Sequence, residues 1–154
     1  ESLQLCRRIL DTYGDTPTGL RDLSISLDRV GDIARETGDL DTARTVYTES
    51  LQLCRRILDT YGDTPTGLRD LSISLNRVGD IARETGDLDT ARTVYTESLQ
   101  LCRRILDTYG DTPTALRDLS ISLEMCAEIE ERSGNAAAAR ALREEAGTVR
   151  ERLG

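Results

Sequence analysis

Apolar residues recur along this chain at alternating intervals of three and four, the period of a helix buried on one side. From about Pro17 to Thr37 the stripe is Leu20, Leu23, Leu27, Val30 and Ala34. From about Leu40 to Tyr61 it is Leu40, Ala43, Tyr47, Ser50, Cys54, Ile57 and Tyr61. These stripes predict two helices, A and B. Pro17 suits a first helical turn, where its missing N–H is not needed, with Thr16 or Asp15 as the cap; Gly38 suits a left-handed stop. Asp39 caps B, Asp41 sits at its positive end and Gly62 closes it. Val46, Leu51, Leu53 and Leu58 widen the apolar face of B beyond one seam. Such a helix must touch two neighbours, as helices do in a stack.

The pattern repeats. Residues 1–48 and 49–96 differ only at Asp28 against Asn76, and the copy continues from Glu97 to Leu123 with Ala115 in place of Gly67. Beyond Leu123 it decays into Glu124-Met125-Cys126-Ala127 and an Ala-, Arg- and Glu-rich stretch, as expected of a capping repeat that must face water. The expected division is a partial repeat over 1–14, repeats over 15–62 and 63–110, and a C-terminal capping repeat over 111–154. The opening residues correspond to Glu49 onward, inside helix B, so the chain is expected to be a piece of a longer array. About seven helices follow: a partial B, then three A–B pairs.

Leu75, Val78-Gly79, Ala82, Gly86-Asp87-Leu88, Ala91, Tyr95 and Ser98 resemble the tetratricopeptide repeat signature. The series recurs as Leu27, Val30-Gly31, Ala34, Gly38, Leu40, Ala43, Tyr47 and Ser50; in the last copy Arg143 takes the aromatic place and Ala127 the glycine. The family unit is about 34 residues. Here the period is 48. One added heptad per helix lengthens each by ~2 turns and keeps its seam in phase. The long repeats of kinesin light chains and of bacterial multidomain signalling ATPases look similar. The resemblance implies an all-α, right-handed superhelical solenoid whose A helices line a concave surface for protein or peptide partners.

Composition narrows the function. With no Phe or Trp and 3% aromatic residues, the core must be built from Leu, Ile, Val, Ala and a few Tyr. The net charge of −8 argues against nucleic acid and anionic membrane surfaces, which are bound through clustered basic residues. The expected setting is soluble and cytosolic. His is absent, and neither an activated nucleophile nor a glycine-rich phosphate loop is present, so neither catalysis nor a cofactor is expected. Cys6, Cys54 and Cys102 recur at the repeat period and fall in different layers, which fits packing rather than metal binding. All four thiols are expected to be reduced. The Asp-rich turns lack the ligand spacing of a calcium loop and read as helix caps.

One face offers a candidate site. On a helical wheel Ile25 falls opposite the core stripe of helix A, and Ile73 and Ile121 repeat it. The partner-binding set is Ile25, Asp28, Asp32 and Arg35, then Ile73, Asn76, Asp80 and Arg83, then Ile121, Glu124 and Glu128. It predicts an apolar ladder in an acidic groove for a basic or amphipathic segment. A second reading has each isoleucine packing on the next A helix, and the array serving as a spacer or self-assembly module. Leu3, Leu5, Cys6, Ile9 and Leu10 lie on a B helix without its own A helix, which predicts weak homodimerisation there.

Overall fold

The computed structural model describes residues 2–154 and is built from helices throughout. In chain order they are α1 (Ser2–Tyr13), α2 (Pro17–Glu36), α3 (Leu40–Tyr61), α4 (Pro65–Glu84), α5 (Leu88–Tyr109), α6 (Pro113–Arg132) and α7 (Ala136–Arg152). The A helices are α2, α4 and α6; the B helices are α3, α5 and α7, with α1 a partial B.

The local chemistry accounts for the helix ends. Thr16, Thr64 and Thr112 occupy extended N-cap positions, and their hydroxyls accept from the amides of Gly19, Gly67 and Ala115 at 3.0, 2.9 and 3.1 Å. Proline follows each threonine at the first helical position. Asp39 and Asp87 cap α3 and α5 by accepting from Thr42 and Thr90, and these bonds hold both carboxyls below their ordinary range. At the A–B turn the chain reverses through Thr37-Gly38-Asp39, where Gly38 takes φ +84° and its amide donates to the Arg35 carbonyl at 3.1 Å. Turns this short make consecutive helices antiparallel neighbours.

Each helix backbone packs only against the helices before and after it in the chain. That is the topology of an all-α solenoid. The core is correspondingly a succession of layers. Leu20, Leu23 and Leu27 of α2 close on Leu53 of α3; Leu68, Leu71 and Leu75 of α4 close on Leu51 and Cys54 of α3 and Leu101 of α5; a third cluster joins α5, α6 and α7. Burying one such leucine stabilises by roughly 1.5–3 kcal/mol. α3 and α5 each use both flanks of their wide apolar face, as their sequence requires, whereas among the described residues α7 packs on α6 alone. Where A and B helices of one pair cross, small polar residues enter the core: Ser50 and Ser98 donate to the carbonyls of Ser24 and Ser72 at 3.1 Å.

The glycines inside the A helices have a definite cause. A Cβ on Gly79 would stand 2.5 Å from Cε1 of the Tyr95 ring, and one on Gly31 would meet the Tyr47 ring in the same way. The tyrosine ring is what excludes a side chain at both places. In the last pair Arg143 replaces the tyrosine, and Ala127 fits there fully buried. Glycine and tyrosine are therefore one packing unit that changes together.

Candidate interaction surface on the A helices

The three isoleucines on the outer side of the A helices do not form a uniform ladder. Ile25 and Ile73 are half-buried, whereas Ile121 is exposed to 50%. The expectation that all three stand exposed is corrected for the first two, each of which is followed by a further A helix. Beyond α6 there is none among the described residues.

The charged residues of the set are brought together, chiefly with each other. Arg77 of α4 reaches back to Asp28 at 3.5 Å and Asp32 at 3.4 Å on α2. Arg35 pairs with Glu84 and, at 3.6 Å, with Asp80; Arg83 pairs with Glu128 at 2.9 Å. The buried hydroxyls of Tyr47 and Tyr95 donate to Asp32 and Asp80 at 2.5 Å. Burial, and then the carboxylate each faces, pushes both phenols well above their ordinary range. The face is therefore a bridge of arginine–carboxylate contacts between successive A helices. The expected set names Arg35 and Arg83 but not Arg77, and the pairing of all three with carboxylates corrects the expectation of an open acidic groove.

The geometry explains the one substitution between the two full copies. Asp28 lies largely buried, and desolvation pushes its carboxyl above the ordinary range, while Ser50 and Arg77 pull it back. The same place one repeat on is Asn76, and the residue one repeat on from Arg77 is Met125. Where the arginine disappears, so does the buried carboxylate at this place, while Asp80, the counterpart of Asp32, stays and is met by Arg35 and Arg83. This is partner matching across a repeat junction, since an unpaired buried charge is costly. The paired change is visible in the sequence once positions 28 and 77 are known to meet.

The last pair completes this face in its own way. Glu124, at the position of Asp28 and Asn76, receives Arg150 at 3.0 Å and Arg143 at 3.9 Å from α7. An arginine from the B helix thus takes the role that Arg77 plays from the next A helix. Ser120, Ile121, Glu124, Met125, Glu128, Arg143 and Arg150 surround an open hollow of about 530 Å³. Here Ile121, Glu124 and Glu128 of the predicted set meet Arg143 and Arg150 of α7, which the prediction did not include, so that an exposed apolar side chain and charges of both signs share one concavity.

The remaining candidate groups are chemically quiet. Cys6, Cys54, Cys102 and Cys126 are free thiols, and burial pushes the last three up to about 11, so they stay protonated at neutral pH. Among the described residues no group of three or more His, Cys, Asp or Glu is placed to hold a metal ion. No helix among them is long and apolar enough to cross a membrane.

Comparison with known proteins agrees with this architecture. Residues 73–104, from within α4 to within α5, match the tetratricopeptide repeat family model, which supports the resemblance read from the sequence. No curated protein matches the chain. Among solved structures it is similar to the "DHF58 filament", at 24% identity and a TM-score of 0.58, over 99% of this chain and 77% of that one. The "DHF79 filament" shares 19% identity over 99% and 85% of the two chains, with a TM-score of 0.42. BtubC (BKLC) from P. vanneervenii shares 13% identity over 99% and 88%, with a TM-score of 0.31. The first of these likenesses shows the fold: an all-α repeat solenoid. Tetratricopeptide repeats serve in general as modules for protein–protein binding.

Proposed function

We propose that the chain is a protein–protein interaction scaffold that binds a protein or peptide segment on the face of its A helices, with Ile121 as the principal apolar anchor. The observation that carries this reading is the hollow beside α6, where Ile121 stands half-exposed among Glu124, Glu128, Arg143 and Arg150. The carboxylates of the face are held by arginines, so an amphipathic segment fits better than a purely basic one. In this reading residues 15–62, 63–110 and 111–154 act as three units of one array, and Ile25, Asp28, Asp32, Arg35, Ile73, Asn76, Asp80 and Arg83 extend the contact toward α2. The test is selection of amphipathic peptides on the immobilised chain, followed by calorimetry. Ile121→Asp is expected to weaken the selected peptide at least ~10-fold with unchanged circular dichroism, the loss of one buried apolar contact of about 1.4 kcal/mol or more. A peptide indifferent to both Ile121→Asp and Asp80→Arg sinks this reading.

A second reading, a spacer or self-associating module, is favoured by the bare face at the other end. Leu3, Cys6 and Leu10 of α1 pack on α2, but Leu5 and Ile9 are exposed to 56% and 44%. Hiding them against a second copy would give a weak homodimer, offset in large part by the entropy of association. Sedimentation over a concentration series decides this, with Leu5→Glu/Ile9→Glu as control. A wild-type chain that stays monomeric at millimolar concentration removes the dimer.

A further inference from the structure

Away from the site just described, the junctions between successive pairs contain hollows that recur at the repeat period. One lies between the first turns of α2 and α4 and is floored by the last turns of α3: Pro17, Arg21, Cys54, Ile57, Tyr61 and Asp70 line it, with a volume of about 280 Å³. The other lies between α4 and α6 over α5, at Pro65, Arg69, Cys102, Ile105, Tyr109 and Asp118, with about 180 Å³. Lining positions correspond one for one at a distance of 48, and they differ at a single place, Gly67 against Ala115. The hollow with the extra methyl is the smaller.

Their chemistry is specific. Each floor is apolar, and an exposed tyrosine stands at each, Tyr61 at 45% and Tyr109 at 41%. Either volume exceeds the roughly 150 Å³ of an apolar cavity that accommodates benzene. Each wall also carries an arginine whose Nε donates to an aspartate of the next A helix at 2.7 Å, Arg21 to Asp70 and Arg69 to Asp118. Among the described residues Arg21 bonds through Nε alone, and Arg69 adds one long contact at 3.5 Å, so each guanidinium keeps at least one terminal nitrogen without a partner. A guanidinium already paired with a carboxylate is a poor phosphate site but a good donor to a single carbonyl.

We propose that these two hollows form a tandem peptide-docking site, in which a partner segment inserts two apolar side chains one repeat apart, each with a backbone carbonyl on the adjacent arginine. The larger side chain enters the Gly67 hollow. Two equivalent hollows in fixed register favour a ligand with two anchors over a single small molecule, because the second contact forms at high effective concentration. Thr66 lines both hollows and is exposed, on the first turn of α4. It offers a way to block both at once without disturbing the core.

The experiment uses the full chain with 15N labelling, and as probes toluene, indole and Gly/Ser peptides carrying one phenylalanine or two at graded spacing. Toluene is expected to shift the amides of Gly62, Gly67, Gly110 and Ala115. Indole is expected to prefer the Gly67 hollow, and Gly67→Ala to remove that preference. At one spacing the two-phenylalanine peptide is expected to bind ~10-fold or more tightly than its single-phenylalanine counterpart. Thr66→Trp abolishes these effects, whereas Thr66→Val retains them and Ile121→Asp leaves them unchanged. The proposal is overturned if the probes leave those amides unmoved, if the second phenylalanine adds nothing at any spacing, or if Thr66→Trp binds as the wild type does.

Discussion

Ile33 and Ile81 occupy the same place in two near-identical repeats, yet Ile33 is 63% exposed and Ile81 is 1% exposed. Their local sequences match apart from Asp28 and Asn76, and both helices run the same length between the same caps. The difference is the neighbour. Ile81 packs with Ala34, Ala43 and Tyr47 around the start of α3. Among the described residues α1 alone precedes α2, and its residues correspond to the second half of a B helix and leave Ile33 uncovered. Burial in a stack is thus a property of the junction between repeats. A residue's own repeat does not decide it.

The sharpest way to break this comparison is to truncate the two isoleucines. Ile81→Ala should cost about 2–5 kcal/mol through the cavity it leaves, while Ile33→Ala should stay within about 0.5 kcal/mol. Urea unfolding midpoints measure both, and equal losses would show that something else covers Ile33. Next in size is the glycine–tyrosine unit. Gly79→Ala should destabilise by about 1–2 kcal/mol, because displacing the Tyr95 ring outweighs the ~1 kcal/mol gain in helix propensity. Ala127→Gly, with no tyrosine opposite, should lose about 1–2 kcal/mol, from helix propensity and from the buried methyl group together.

A smaller effect tests the junction charges. Arg77→Met removes the cation facing Asp28 and should cost about 1 kcal/mol at neutral pH, with Asp28→Asn recovering it as Asn76 and Met125 do naturally. The sign with pH follows from burial. A carboxyl raised in the folded state keeps its proton to higher pH than in the unfolded chain, so stability falls as pH rises from the ordinary carboxyl range through the raised folded value. Arg77→Met deepens that fall, and Asp28→Asn removes it; thermal unfolding between pH 3 and 7 reads it out. The smallest effect belongs to the outer ladder of Arg7–Glu49, Arg55–Glu97 and Arg103–Glu145 on the B helices. These pairs are exposed, so Arg55→Ala should change stability by less than about 1 kcal/mol, and less again in high salt.

Helix boundaries were legible from residue type because caps, glycine stops and apolar period are local chemistry. The predicted start of helix A at Pro17 and the span of helix B from Leu40 to Tyr61 match the structure, and the end of helix A falls one residue before Thr37. Ser24 and Ser26, both buried, escaped the apolar pattern because a serine enters a core only where a close helix crossing suits it. The hollows at Tyr61 and Tyr109 also escaped, since their walls come from three helices.

The sequence by itself determined the period, the succession of helices, the Asp39 cap of helix B and the pairing of A with B, and it narrowed the cap of helix A to Thr16 or Asp15. All of these depend on contacts within about one repeat. Only the tertiary structure decided which of several identical residues is covered, that the carboxylates of the A face are bridged by arginines, and that Ile121 rather than Ile25 or Ile73 stands free. Those outcomes depend on what lies 45–49 positions away, as in Arg77 with Asp32 and Arg21 with Asp70. Copies of one sequence differ in environment only through the neighbours that the stack gives them.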